Sequence, residues 1–302
     1  MAFQTKGIKN RLKSIRNTKK ITRTMELVSA AKMRRAVEAT TKTRPYTAHL
    51  WSIINSLKVH ADLLENHDLK KFFEIPAEVL PYQRHQKKIR TTMILFSSNR
   101  GLCGGFNSHL VKKVASYFRK RRSDETISVI GIGTKGVPLL GARRISTDFA
   151  YRKEEGPGAY QSIVPIAKEV YKKFLEGETD KIILAYTAYR SSSKQKPTIK
   201  QILPLPYEKA TEVEGYSRNH LFEPSEEELM QALIPRVIEM QMFQALLDSN
   251  ASEHCARMVA MKNAKDAATE MSDSLSLSYN RARQASITQE IAEISAGFAA
   301  IS

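Results

Sequence analysis

Apolar residues recur at helical spacing at both ends of this chain and in short unbroken runs through its middle. Near the start, Ile8, Ile15, Thr22, Ser29 and Ala36 step by sevens, with Leu12, Met25 and Val28 widening the stripe. Near the end, Met261, Ala268, Leu275 and Ala282 also fall seven apart. Ile287, Ile291, Ile294, Phe298 and Ile301 then alternate by four and three. A heptad seam needs a second helix against it, so the helix expected over 1–60 is the natural partner of the run over 225–302. Ser29, Ala30, Ala31 and Ala36 are small enough to allow close approach. The step from Ala282 to Ile287 is neither three nor four, which predicts a change of phase over 281–285. Pro45 and Pro235 each predict a kink or break, because proline removes a backbone donor and crowds the preceding turn. Ser225 and Glu228 have the spacing of a capping box at the head of the last helix.

The middle of the chain changes period. β-branched and apolar runs at 91–96, 126–130, 181–188 and 198–203 read as strands, and 107–122 and 160–175 read as helices. Strands alternating with helices imply an α/β layer with a mainly parallel sheet. The expected division is a helix over 1–60, a linker over 61–88, an α/β domain over 89–206, a return loop over 207–224 and a helix over 225–302.

Charge and candidate chemistry change this picture only locally. The chain carries 48 Lys and Arg against 31 Asp and Glu, and much of the excess sits in the first helical stretch, which predicts an anionic partner. Stacking on single-stranded nucleic acid has little support there, since Phe3 is the sole aromatic before Tyr46. Cys103 and Cys255 are too few for a disulfide scaffold, which favours a reducing compartment. No apolar run approaches a membrane span, and no secretory core follows the N-terminal charges. The seven histidines show no metal spacing.

Gly131, Gly133 and Gly136 form a G-x-G-x-x-G after a strand, with Asp148 at the distance of a ribose-binding acid. That pattern suits a pyrophosphate cradle and a nicotinamide enzyme. It equally suits a glycine-eased strand-to-helix turn, and Pro138 restricts the helix that would hold the phosphates. Cys103 sits in a glycine-rich turn with no base beside it in sequence, and Cys255 falls inside a helical seam. Both read as packing residues.

Several segments together resemble the gamma subunit of the F-type ATP synthase. They are Ile-Lys-Asn-Arg-Leu-Lys-Ser-Ile-Arg-Asn-Thr-Lys-Lys-Ile-Thr at 8–22, Ser-Ala-Ala-Lys-Met-Arg-Arg at 29–35 and Ser-Ser-Asn-Arg-Gly-Leu-Cys-Gly-Gly-Phe-Asn at 97–107. Ala-Ser-Glu-His-Cys-Ala-Arg-Met at 251–258 and Leu-Ser-Tyr-Asn-Arg-Ala-Arg-Gln-Ala-Ser-Ile-Thr-Gln-Glu-Ile at 277–291 complete the set.

The resemblance implies a long antiparallel coiled coil of the N- and C-terminal helices with an inserted Rossmann-like domain that binds no nucleotide. It implies a central rotor shaft that couples turning of the c-ring to the catalytic beta subunits, without catalytic residues, cofactor or metal of its own. The expected partners are the alpha and beta subunits, the epsilon subunit and the c-ring, with no nucleic acid and no direct membrane insertion. The expected place is the cytoplasmic face of a bacterial cell membrane. Carried over to this sequence, Arg283, Gln284, Thr288 and Glu290 resemble a catch region that meets a beta subunit, and Met25, opposite it, matches a position that influences coupling. Arg44, Pro45 and Tyr46 with His220, Phe222 and Glu223 resemble segments that meet the c-ring and epsilon, although the family has a tyrosine where this chain has His220.

Overall fold

The computed structural model describes residues 2–60, 72–74, 89–121, 124–156, 158–192, 194–206 and 226–299. Most of the expected linker 61–88, the return loop 207–224 and Ser225 of the capping box lie outside them. The chain divides into two compact units, residues 1–31 with 257–302, and residues 32–256.

Two helices contribute to both units: α1, Ala2–His60, and the C-terminal helix, Glu226–Ala299. Helix assignment continues through Pro45 and Pro235. The loss of one hydrogen bond and a local clash cost about 3 kcal/mol, and apolar burial on either side offsets this. Leu50 and Ile54 follow Pro45 in the core, while Ile234, Val237 and Ile238 flank Pro235.

In the unit formed by 1–31 and 257–302, chain direction makes the two helical segments antiparallel, since α1 leads into residue 32 and the C-terminal helix leads out of residue 256. Ile8, Leu12, Ile15, Lys19, Thr22, Glu26 and Ser29 form a covered row on α1 that alternates by four and three, with Ala30 covered beside its end. Met25 and Val28 fall outside the stripe, at 38% and 52% exposure. The second row of the seam is polar instead, with Lys265 Nζ on the Glu26 carboxylate at 2.8 Å. On the C-terminal helix the covered row is Met261, Lys265, Ala268, Ser272, Leu275, Tyr279, Ala282 and Ser286. The predicted change of phase is therefore absent. The seam runs four residues past Ala282 to Ser286, and residues 287–296 are exposed.

The unit 32–256 holds the α/β layer. In chain order it contains β1 (Phe73–Glu74), β2 (Ile89–Phe96), α2 (Phe106–Lys120), β3 (Glu125–Ile132), α3 (Gly136–Gly141), β4 (Phe149–Tyr151), α4 (Ala159–Leu175), β5 (Lys181–Tyr189), β6 (Gln195–Leu203) and β7 (Leu205–Pro206). The C-terminal helix follows as α5. The five-stranded sheet has the order β4-β3-β2-β5-β6, parallel except for β6, and β1 pairs with β7 apart from it. Strands buried on both faces read as continuous apolar runs, which is why β2 and β5 were visible in the sequence. Within β2, Ile94 and Phe96 enter one core and Met93 and Leu95 the other. The first core is closed by α4 (Ile163, Ile166, Val170) and by α5 (Ile234, Ile238, Leu246), the second by α2 (Leu110, Val111, Val114).

Leu246 has no exposed surface, so Leu246→Ala should lower stability by about 2–5 kcal/mol in urea unfolding. Leu277→Ala, at a side chain 62% exposed, should change it by no more than about 0.5 kcal/mol.

Candidate partner-binding surfaces

An open parallel sheet binds ligands where its strand order reverses, outside the carboxyl ends of the strands. Here that point lies between β2 and β5, and α5 crosses it. Ser249 Oγ donates to Phe96 O at 3.2 Å, at the end of β2, and Ser252 Oγ donates to Thr187 O at 3.0 Å, near the end of β5. Both serines are fully buried. The chain's own helix thus stands in the crevice.

The glycine-rich turn beside it is also occupied. Gly133 has φ +104°, and a Cβ there would lie 2.2 Å from Ser97 O. A Cβ on Gly136 would lie 2.6 Å from the Ser97 Cβ. These glycines serve close packing of the turn on β2. The Gly133 N–H donates to Tyr151 O, the Lys135 N–H to Ser98 O and the Gly136 N–H to Ser97 Oγ. Asp148 accepts from Ser128 Oγ. The pyrophosphate cradle is therefore set aside in favour of a packed strand-to-helix turn. Cys103 fills a similar role, receiving Asn107 Nδ2 at 3.5 Å. Cys255 is buried with Gln195 Nε2 at 3.3 Å, and burial pushes its thiol pKa up.

A charged cluster that sequence reasoning missed lies on α5 directly after these serines. The Lys153 ammonium, fully buried, pairs with the Glu253 carboxylate and stands 5.8 Å from the centre of the Phe106 ring. Glu155 accepts from Lys32 Nζ at 2.9 Å and lies 3.4 Å from His254 Nε2. His254 first, and Lys32 after it, hold the Glu155 carboxyl well below the usual carboxylate range. The donor atoms of Glu155, Glu253 and His254 fall within 4.8 Å of one another. Ammonium groups already neutralise both carboxylates, so the arrangement is an ion-pair network rather than a metal centre.

The residues expected at partner surfaces are distributed as follows. Arg283, Gln284, Thr288 and Glu290 are all exposed on the C-terminal helix. Thr288 Oγ1 donates to Gln284 O at 3.0 Å, and Ser286 Oγ donates to the Glu290 carboxylate at 3.2 Å. Met25 is not opposite them. The Glu26–Lys265 bond fixes the register, and residue 283 lies eighteen residues beyond Lys265, about 27 Å along the helix at 1.5 Å per residue. Exposed large apolar residues stand on the same unit, namely Ile21, Leu27 and Val28 on α1 and Leu277, Ile287 and Ile291 on the C-terminal helix. Lys9, Arg11, Lys13, Arg16, Lys20 and Arg23 are exposed as well, so this surface is both apolar and basic. In the other unit, Arg44 donates from Nη2 to Tyr189 O at 3.2 Å and lies 3.5 Å from Asp248 Oδ1. Pro45 is exposed and Tyr46 is 45% exposed. His220, Phe222 and Glu223 lie outside the described residues.

The family model described as ATP synthase matches residues 4–301. The ATP synthase gamma chain of Geotalea uraniireducens (strain Rf4) is 39% identical over 294 residues, covering 97% of this chain and 96% of the relative. The gamma chain of Anaeromyxobacter sp. (strain K) is 38% identical over 297 residues, covering 98% of each. The chain belongs to the ATP synthase gamma-chain family. The fold agrees with more distant structures: an ATP synthase chain from Euglena gracilis mitochondria, in an assembly of OSCP, F1 and c-ring, has a TM-score of 0.66 at 17% identity, covering 100% of this chain and 95% of that one. A chain from the central stalk and c-ring of the Tetrahymena thermophila mitochondrial enzyme has a TM-score of 0.56 at 20% identity, covering 81% and 99%. Among the described residues of this gamma-family chain, no helix is long and apolar enough to cross a membrane.

Gly133→Ala should destabilise the chain by at least about 1 kcal/mol, since alanine resists positive φ even before the contact with Ser97; equal urea midpoints would contradict the packing role. A carboxyl with depressed folded pKa contributes stability above its unfolded value, 4.5 here, and loses it as pH falls. Glu155→Gln should therefore be less stable than the parent at neutral pH, with the difference narrowing below pH 4.5.

Proposed function

We propose that this chain is the central rotor shaft of a proton-translocating ATP synthase, turning within a ring of alpha and beta subunits and fixed at its other end to the c-ring and the epsilon subunit. The observation that carries the reading is the double use of the helical pair. One set of residues closes the seam, and a second, large and apolar, stays exposed beside a row of basic side chains on α1. Exposed apolar surface of that kind suits a bearing, and the basic row suits acidic segments of the ring.

In this reading the chain has no catalytic residue, takes no cofactor and belongs at the cytoplasmic face of a bacterial cell membrane as a peripheral component. Arg283, Gln284, Thr288 and Glu290 contact a beta subunit, Met25 faces the ring at a separate level, and Arg44, Pro45 and Tyr46 with His220, Phe222 and Glu223 meet the c-ring and epsilon. The functional division is 1–60 and 225–302 for the shaft, 89–206 for the foot, and 61–88 and 207–224 for connections.

Affinity purification of the chain from its host should bring down alpha, beta, epsilon and c subunits together; recovery without alpha and beta would sink the rotor reading. Gln284→Ala and Arg283→Ala should each reduce ATP synthesis driven by a proton gradient while leaving the thermal midpoint of the chain unchanged, because both side chains are exposed. Wild-type synthesis in both variants would remove the catch assignment.

A further inference from the structure

The excess of positive charge has a second centre besides α1. Residues 100–147 hold ten Lys and Arg and two acids, Asp124 and Glu125. Within them α2, Phe106–Lys120, carries four Lys and Arg and no Asp or Glu. Its inner side is apolar, with Leu110, Val111 and Val114 in the core against the sheet, and Lys112, Lys113, Arg119 and Lys120 are all exposed. Glu125 is engaged elsewhere, since its Oε1 accepts from Thr91 Oγ1 at 2.6 Å and from Tyr117 Oη at 3.3 Å. Helix α4, which closes the other core, balances its charges along its own length: Lys172 pairs with Glu176 at 3.6 Å and Lys173 with Glu169 at 2.9 Å. Such pairs four residues apart are the usual way for a solvated helix to carry lysine. With no acid of its own, α2 makes none.

Arg119 and Lys120 stand in the last turn, where the helix dipole favours cations. That accounts for two of the four and leaves Lys112 and Lys113, in the middle of the helix. At 3.6 residues per turn Ser116 bisects the exposed face, with Lys112 and Arg119 about 40–60° to one side and Lys113 and Lys120 about 40–60° to the other. Each flank repeats after seven residues, about 10 Å along the axis, and the small side chain of Ser116 lies half-buried between the flanks. Charges at seven-residue spacing on both sides of a central row are how one helix meets the charges of another lying along it. A bilayer surface imposes no such spacing. Interfacial binding also draws on apolar side chains that insert, and no large apolar residue of α2 is exposed.

We propose that the exposed face of α2 is a docking surface for an acidic helix of a partner protein. That helix lies along Ser116 and brings Glu or Asp, seven apart on each flank, to Lys112 and Arg119 on one side and to Lys113 and Lys120 on the other. The contact is electrostatic, quick to form and weakened by salt. It uses none of the residues assigned to the ring, the c-ring or the epsilon subunit, and it does not rest on the rotor reading.

Fluorescence anisotropy tests this with the full-length chain and a labelled three-heptad peptide that has glutamate at both flanking positions of each heptad and alanine and glutamine elsewhere. The peptide should bind saturably at low ionic strength and lose about ten-fold or more in affinity with Lys113→Glu and Lys120→Glu together. The same peptide with lysine in place of glutamate should bind that variant and not the parent. An equal charge change on α4, Lys168→Glu with Lys172→Glu, should shift the affinity by about two-fold or less, because exposed charges at a distance are screened. Equal losses from the α2 and α4 pairs, or a scrambled peptide of the same composition binding as tightly, would overturn the proposal. So would duplex DNA or phosphatidylglycerol vesicles held through Lys113 and Lys120 more tightly than the peptide. Carbodiimide coupling of the peptide to the parent chain gives a result without any substitution: cross-links at Lys112, Lys113 or Lys120 support the surface, and cross-links confined to other lysines remove it. None of these failures touches the rotor reading.

Discussion

A helix of 74 residues must be covered along its length by something, and the coverage of α5 organises this protein. Its first turns are apolar on several sides and lie in the core of the α/β layer, where Met230, Ile234, Ile238, Met242 and Leu246 are buried. Its next turns are small and polar, because they meet strand ends rather than side-chain faces. From residue 257 the periodicity narrows to a heptad seam shared with α1, and residues 287–296 are exposed. Each change in composition along one continuous helix matches a change in what stands against it.

The crossing of α5 over the sheet also explains how a nucleotide-type layout serves a non-nucleotide purpose. Strand order, a glycine-rich turn and a helix following it are all present, yet the crevice they would form is taken by Ser249 and Ser252. Folds of this class host many functions, and function follows from what occupies the site. Here the occupant is the shaft helix itself. Lys153 and Glu253 add a buried ion pair at the same place. Such a pair contributes little net stability against an apolar alternative, whereas removal of one partner alone leaves an uncompensated buried charge. It therefore specifies how the helix sits on the sheet more than it strengthens the contact.

Electrostatics divides the two units by purpose. Around α1 in the helical pair, basic side chains stand exposed and without a matching number of acids nearby in sequence, a distribution that suits an acidic partner surface. In the unit 32–256 a few charges turn inward, with Glu155 held by Lys32 and His254, and Asp248 acted on by Arg44, Arg190 and Lys200. The first arrangement is open to other chains, and the second lies within the fold.

The sequence alone determined one row of each seam, the central strands and helices, and the family, because these depend on local periodicity and on continuous motifs. A seven-residue step fixes which face of a helix is apolar whatever packs on it, and a β-branched run between turn residues reads as a strand without its neighbours. Tertiary structure decided the rest. β1 and β7, two residues each, have no pattern to read. Lys153 and Glu253 are 100 residues apart, and neither residue type signals burial. Met25 looked like part of the stripe and opposite the catch, until Glu26 took the seam position and the Glu26–Lys265 bond set the register. The glycine motif by itself suits two opposite uses, and in the fold Ser97 fills its cradle. Local geometry encodes which face a residue presents; only the assembled chain decides what meets it.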